Sequence, residues 1–270
     1  MKNTFKWLNI SQFTGAFNDN AFKMTAVVVL VKMLGQQSLP AVIAACSALF
    51  VIPFLLFSNA AGTLADRFSK KQIIIASKWM EVALLAVAVP VLISGAAWAI
   101  YALLFLLCAQ SALFSPAKRG IVPELVREEE LSRANGYLTA ATYVAIILGT
   151  AMPALVIGFL GLSPIIAIGI CAALAFIGAA ASYKLAKVPA HGSRKKASPF
   201  IIPDVVRAVR NLKSDHWARQ AVLGLVLFGG ITALFQQTLI IYGQEVLGLS
   251  VEKAPMLFPL AAIGIGIGAL

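Results

Sequence analysis

Apolar runs of ~17–25 residues recur along this chain, and that length leaves little choice of architecture. They occupy 13–34, 41–61, 73–92, 97–113, 136–160, 164–185 and 221–242, and an eighth begins near Ala254 and is still apolar at Leu270. Hydrocarbon offers no partner for backbone N–H and C=O groups, so a segment that crosses it must be a helix or part of a closed barrel. Barrel strands are alternating segments of ~10 residues, so these runs predict helices. Composition agrees: 60% of residues are hydrophobic and 12% charged, against ~45–50% and ~25% in soluble domains. The expected class is an all-α, multi-pass membrane protein.

The first run carries the residues that need explaining. Gly15-Ala16-Phe17-Asn18-Asp19-Asn20-Ala21-Phe22-Lys23 places two charges inside a predicted span, where each costs ~2.5–3.5 kcal/mol on insertion scales. Gln12, Ala16, Asp19 and Lys23 are spaced by four, three and four residues and share one helix face. Ser11, Gly15, Asn18 and Thr25 widen that stripe. A helix with one polar face belongs in a bundle, turned toward a cavity or a polar partner. The simpler alternative is that Asp19 and Lys23 pair with each other one turn apart. Further on, Glu81 lies within the third span, where it either joins an ion pair with Lys23 or Lys118 or titrates; the ion pair is the expected role. Lys32 and Lys78 are read as snorkelling side chains near span ends. Ser111, Ser115 and Lys118, spaced by four and three, give the fourth span a polar face of its own.

Basic residues set the orientation. Nineteen of the 22 Lys and Arg fall at the N-terminus and in the 2–3, 4–5 and 6–7 connections, which places those segments and the N-terminus in the cytoplasm. Because these charges hug span ends, they point to anionic membrane lipid and not to nucleic acid. Cys46, Cys108 and Cys171 lie in apolar runs without ligand spacing, so neither a metal site nor a cofactor is expected. The longest polar segment, 187–220, is read as a basic cytoplasmic linker. Within it Val205, Val206, Val209 and Leu212 share one face and Arg207, Arg210 and Lys213 another, the pattern of a helix on a membrane surface or of a solvated linker helix.

Six spans, a basic loop and further spans resemble the plan of the major facilitator superfamily. The 2–3 hairpin, Gly62-x-x-x-Asp66-Arg67-x-x-Lys70-Lys71, is similar to that superfamily's G-x-x-x-D-R-x-G-R-K signature, with Ser69 in place of the second glycine and Lys70 in place of the arginine. By that resemblance Gly62, Asp66, Arg67, Lys70 and Lys71 form a conformational latch. Gly62 would allow close helix contact, and Asp66 would accept charge-assisted hydrogen bonds from a helix end or from Arg67. Ser115-Pro116-Ala117-Lys118-Arg119-Gly120-Ile121-Val122-Pro123-Glu124, with Leu131-x-x-Ala134-Asn135-Gly136 and the first-span Ala16-Phe17-Asn18-Asp19-Asn20-Ala21, resembles lysophospholipid transporters.

That family resemblance implies a secondary transporter in the bacterial inner membrane. It would move lysophospholipid, chiefly lysophosphatidylethanolamine, to the inner leaflet for reacylation. Asn18, Asp19, Asn20, Lys23, Ser115 and Lys118 are the implied substrate-binding residues, with an ammonium on Asp19 and a phosphate on Lys118 or Lys23. Some members carry a basic residue in span seven, where this chain has only amides, Gln236 and Gln237. The implied partner is an acyltransferase or acyl-carrier-protein synthetase, separate or fused. A proton-coupled drug or metabolite exporter of the same superfamily, with Asp19 or Glu81 carrying the proton, is the rival reading. A membrane module of a fused acyltransferase is the third. The expected domains are a six-helix half over 1–186, the linker over 187–220, and spans seven and eight of a second bundle over 221–270. Ile52-Pro53-Phe54-Leu55 aligns with Phe258-Pro259-Leu260-Ala261, so span eight is read as the counterpart of span two, in a fragment of a longer protein.

Overall fold

The computed structural model describes residues 3–186 and 216–259, and among them there is no strand. Eight helices follow in order: α1 (Asn3–Leu34), α2 (Leu39–Arg67), α3 (Lys70–Ser94), α4 (Ala97–Gly120), the short α5 (Val122–Leu125), α6 (Leu131–Pro153), α7 (Pro164–Tyr183) and α8 (His216–Glu245). The surface helix read over 204–212 and most of span eight, 260–270, lie outside the described residues. Among the described residues, six helical stretches are long and apolar enough to cross a membrane: Gln36–Arg67, Lys70–Ser94, Ala97–Gly120, Glu128–Phe159, Pro164–Tyr183 and His216–Glu245.

α1 is not one of those six, because its amides and charges dilute its apolar content. Its setting explains why it nonetheless runs through the bundle. It packs against α2, α4, α6 and α7, and between Ser11 and Val28 only Phe13, Ala16 and Asp19 are partly exposed. A helix walled in by protein finds its polar partners on neighbouring helices rather than in lipid. The outer helices do the opposite and expose Leu55, Ile93 and Leu106, as a lipid-facing surface requires.

Helices run past the apolar windows at the end that carries the α2–α3 turn. The expected charged hairpin over 62–71 is mostly helical: α2 continues to Arg67, α3 starts at Lys70, and only Phe68 and Ser69 connect them. α4 likewise continues through Pro116 to Gly120. Hydropathy ends where charges begin, but a helix does not need lipid to continue. A second cluster of buried residues at this end includes Phe5 and Leu8 with Phe114, Ile121, Val122 and Leu125, which is why α1 begins well before the first apolar window. At the opposite end Gly95 closes α3 in the left-handed conformation, at φ 65°.

Two glycines set how closely α1 is approached. A Cβ on Gly149 of α6 would lie 2.4 Å from the Phe17 carbonyl oxygen, and one on Gly178 of α7 would lie 2.3 Å from Thr14 Oγ1. Backbone cannot step aside as a side-chain tip can, so Gly149 is the stricter contact. Gly149→Ala is expected to destabilise the bundle by ~1–3 kcal/mol through overpacking. Gly136→Ala, which would meet nothing within 4 Å, serves as the control in a thermal-unfolding comparison in detergent.

Candidate functional site

The polar residues of α1 divide into a sealed set and an open one. In the sealed set, Asn18 Nδ2 donates to Glu81 Oε1 at 2.7 Å and to the Cys171 carbonyl at 3.0 Å. Lys78 Nζ pairs with Glu81 Oε2 at 2.7 Å, and the two side chains are 0% and 1% exposed. Lys78 fits because Gly15 has no side chain: a Cβ there would lie 2.6 Å from the ammonium. This network joins α1, α3 and α7. It corrects two expectations. The partner of Glu81 is Lys78 rather than Lys23 or Lys118, and Lys78 does not snorkel. Residues three apart on α3 meet on one face, and that face turns inward against α1. Removing one member leaves the other buried and uncompensated, so Lys78→Met is expected to cost ~3–5 kcal/mol. Adding Glu81→Leu to that variant recovers most of the loss, as read by unfolding of the purified protein.

Asp19 faces the other way. It is half-buried on the partly exposed stripe of Phe13, Ala16 and Asp19, and Ser111 Oγ of α4 lies 2.9 Å from its Oδ1 and 2.7 Å from its Oδ2. Two turns along α4, Lys118 is also half-buried, with its ammonium 5.5 Å from the centre of the Phe114 ring. The Lys78 ammonium lies 5.3 Å from the same ring centre, so this one buried ring touches both the sealed and the open cation. Asp19 and Lys118 form no direct ion pair among the described residues. Ser115 lies between them on α4 and is half-buried.

The remaining candidates do not join this group. Lys23 is nearly enclosed beside Cys46 and Cys108, with its ammonium 5.0 Å from the centre of the Phe50 ring. It makes no ion pair with Asp19, although the two are one turn apart, because Asp19 turns to α4 and Lys23 to α2. Asn20 donates to the Ala16 carbonyl of its own helix at 2.9 Å. Gln12 ties α1 to α6, accepting from Thr142 at 2.9 Å and donating to the Leu138 carbonyl at 3.3 Å. Ser111 is the contact that sequence reading left unassigned; its spacing from Lys118 marked the face but not the partner.

At the hairpin the lysines form the ties. Lys70 pairs with Glu124, and Lys71 donates to the Tyr183 and Leu185 carbonyls at 2.8 and 2.5 Å. These bonds link the α2–α3 turn to the α4–α5 region and to the end of α7. Gly62 and Asp66 make no such contact among the described residues. A Cβ on Gly62 would meet nothing within 4 Å. Asp66 is exposed and has no hydrogen bond or ion pair among the described residues. Arg67 is half-buried in the last turn of α2.

With this geometry established, similarity to known proteins is informative. Three curated relatives are each named lysophospholipid transporter LplT. Those from Pectobacterium carotovorum and Photorhabdus laumondii are 28% and 29% identical over 262 and 264 residues, 96% of this chain in each case. The one from Cronobacter sakazakii is 26% identical over 266 residues. The chain spans 61–63% of the length of these relatives. Among solved structures, a mutant of the peptide transporter POT bound to alafosfalin superposes with a TM-score of 0.53 at 17% identity, covering 90% of this chain and 52% of that one. That likeness speaks to the fold. The sequence matches the Major Facilitator Superfamily over residues 10–270, and the chain belongs to that superfamily.

Proposed function

We propose that this chain serves a secondary transporter of lysophospholipid, with Asp19 and Lys118 as the two ends of its head-group site. The observation that carries this reading is the placement of Asp19: a carboxylate anchored by Ser111 on the partly exposed stripe of a helix that is otherwise enclosed between Ser11 and Val28. A zwitterionic head group offers an ammonium to that carboxylate and a phosphate to Lys118, both as charge-assisted hydrogen bonds. The relatives named as lysophospholipid transporters support the same substrate class. Glu81 is locked against Lys78 and Asn18, which speaks against its use as the mobile proton carrier of the exporter reading.

On this reading the α2–α3 end of the bundle faces the cytoplasm of a bacterial inner membrane, since that end carries Lys70, Lys71, Lys118 and Arg119. Residues 1–186 form the six-helix half, 187–220 the linker and 221–270 the start of a second bundle. Lipid delivered to the inner leaflet becomes substrate for an acyltransferase or acyl-carrier-protein synthetase. Asp19→Asn is expected to abolish uptake of labelled lysophosphatidylethanolamine into vesicles, with membrane insertion and thermal stability unchanged. Uptake at the parent rate would remove Asp19 from the mechanism.

A further inference from the structure

We propose that the segment after α8, residues 250–256, is a gate over the α1–α2 end of the bundle, latched by the Lys32–Glu252 ion pair. Lys32 is in the last turn of α1, and its ammonium lies 2.8 Å from Glu252 Oε1. Burial pushes the Glu252 carboxyl upward, but hydrogen bonds from Lys32 and Ser250 outweigh it and hold the group below the usual carboxylate range. Glu252 therefore stays charged at neutral pH.

Three further contacts seat the same segment. The Lys253 ammonium lies 5.2 Å from the centre of the Phe159 ring. Gly158 makes room for the chain: a Cβ there would lie 3.0 Å from Glu252 Cβ and 3.1 Å from Lys253 Cγ. Both Gly158 and Phe159 belong to a π-helical turn, Ala154–Phe159, that continues α6. Such turns are local departures from the α-helix and recur at functional sites. Inside this collar, Val251 and Ala254 are buried in the main core. Among the described residues of α8, Trp217, Val226 and Leu234 are exposed, and Ile240 near its end is buried. Among the described residues, the chain beyond 216 meets α2, α6 and the turn that continues α6.

The parts of a gate are present here. Val251 and Ala254 supply the apolar stopper, and Gly158 allows its close approach. The latch joins two charges, one of them half-exposed, so it can break without leaving a charge sealed in the interior. Opening this end requires Glu252 to leave Lys32 while the Lys78–Glu81 pair deeper in the bundle stays intact. The inference rests on the transporter reading, because only a carrier needs this end to open and close.

The test uses Val251→Cys as a reporter and a membrane-impermeant maleimide; Cys46, Cys108 and Cys171 are buried, and the protein without the reporter gives the background. Breaking the latch with Lys32→Gln or Glu252→Gln is expected to raise reporter labelling about two- to fivefold, the range for losing one surface ion pair. The charge-swapped pair, Lys32→Glu with Glu252→Lys, is expected to return it toward the parent value. Labelling unchanged in both single variants would overturn the gate, and so would a swapped pair that labels as fast as the singles. Uptake of labelled lysophosphatidylethanolamine is measured in the same membranes. Latch-dependent labelling without uptake would uphold the gate and refute the substrate.

Discussion

A lysine and a glutamate sealed at 0–1% exposure inside a membrane protein are tolerable only if every charge finds a partner, and the pair Lys78–Glu81 is completed by Asn18. That third partner fixes α1. Asn18 reaches Glu81 only if α1 lies in the cleft between α3 and α7, and it secures that position with a second bond to the Cys171 carbonyl. Gly15 and Gly178 are the steric counterpart, since side chains there would strike Lys78 and Thr14. The most polar of the long helices among the described residues is therefore a central one, held by a network that would be costly to leave half made.

Once that face of α1 is committed, the remaining polar residues have little freedom. Asn18 and Asp19 are neighbours in sequence but point about 100° apart on a helix of 3.6 residues per turn, so fixing one inward against α3 and α7 turns the other toward α4. Ser111 receives it there. The fourth helix then continues past Pro116 to carry Lys118, half-buried like Asp19, two turns beyond Ser111. Lys70 and Lys71 bind the neighbouring helix ends together, so the rim near Lys118 is braced by charge while its interior is braced by packing.

Much of this was legible in residue order. Span lengths identified a helical membrane protein, and the spacing of Gln12, Ala16, Asp19 and Lys23 identified a helix with a polar face. What misled was depth. Lys78 was read as a span-end lysine because the apolar window opens at Ile73, whereas α3 begins at Lys70 and carries Lys78 ~12 Å into the helix at 1.5 Å per residue. With that start, the three-residue spacing to Glu81 would have named the pair. Lys23 and Asp19 share a face by spacing, yet two long side chains on one face can diverge to different neighbours, and spacing alone does not say which. The hairpin signature drew attention to Gly62 and Asp66, while the observed ties run through Lys70 and Lys71, whose partners lie at least 50 residues away in sequence and leave no local trace.

The central claim is a division of labour: Glu81 is scaffold and sealed, Asp19 is reachable and free to meet a ligand. Modifying carboxyl groups of the folded protein with a water-soluble carbodiimide and an amine, then locating the adducts by mass spectrometry, tests it directly. The account predicts an adduct on Asp19 that lysophosphatidylethanolamine suppresses, and none on Glu81 until the protein is unfolded. Modification of Glu81 at the rate of Asp19, or an Asp19 that stays inert with no lipid present, would contradict it.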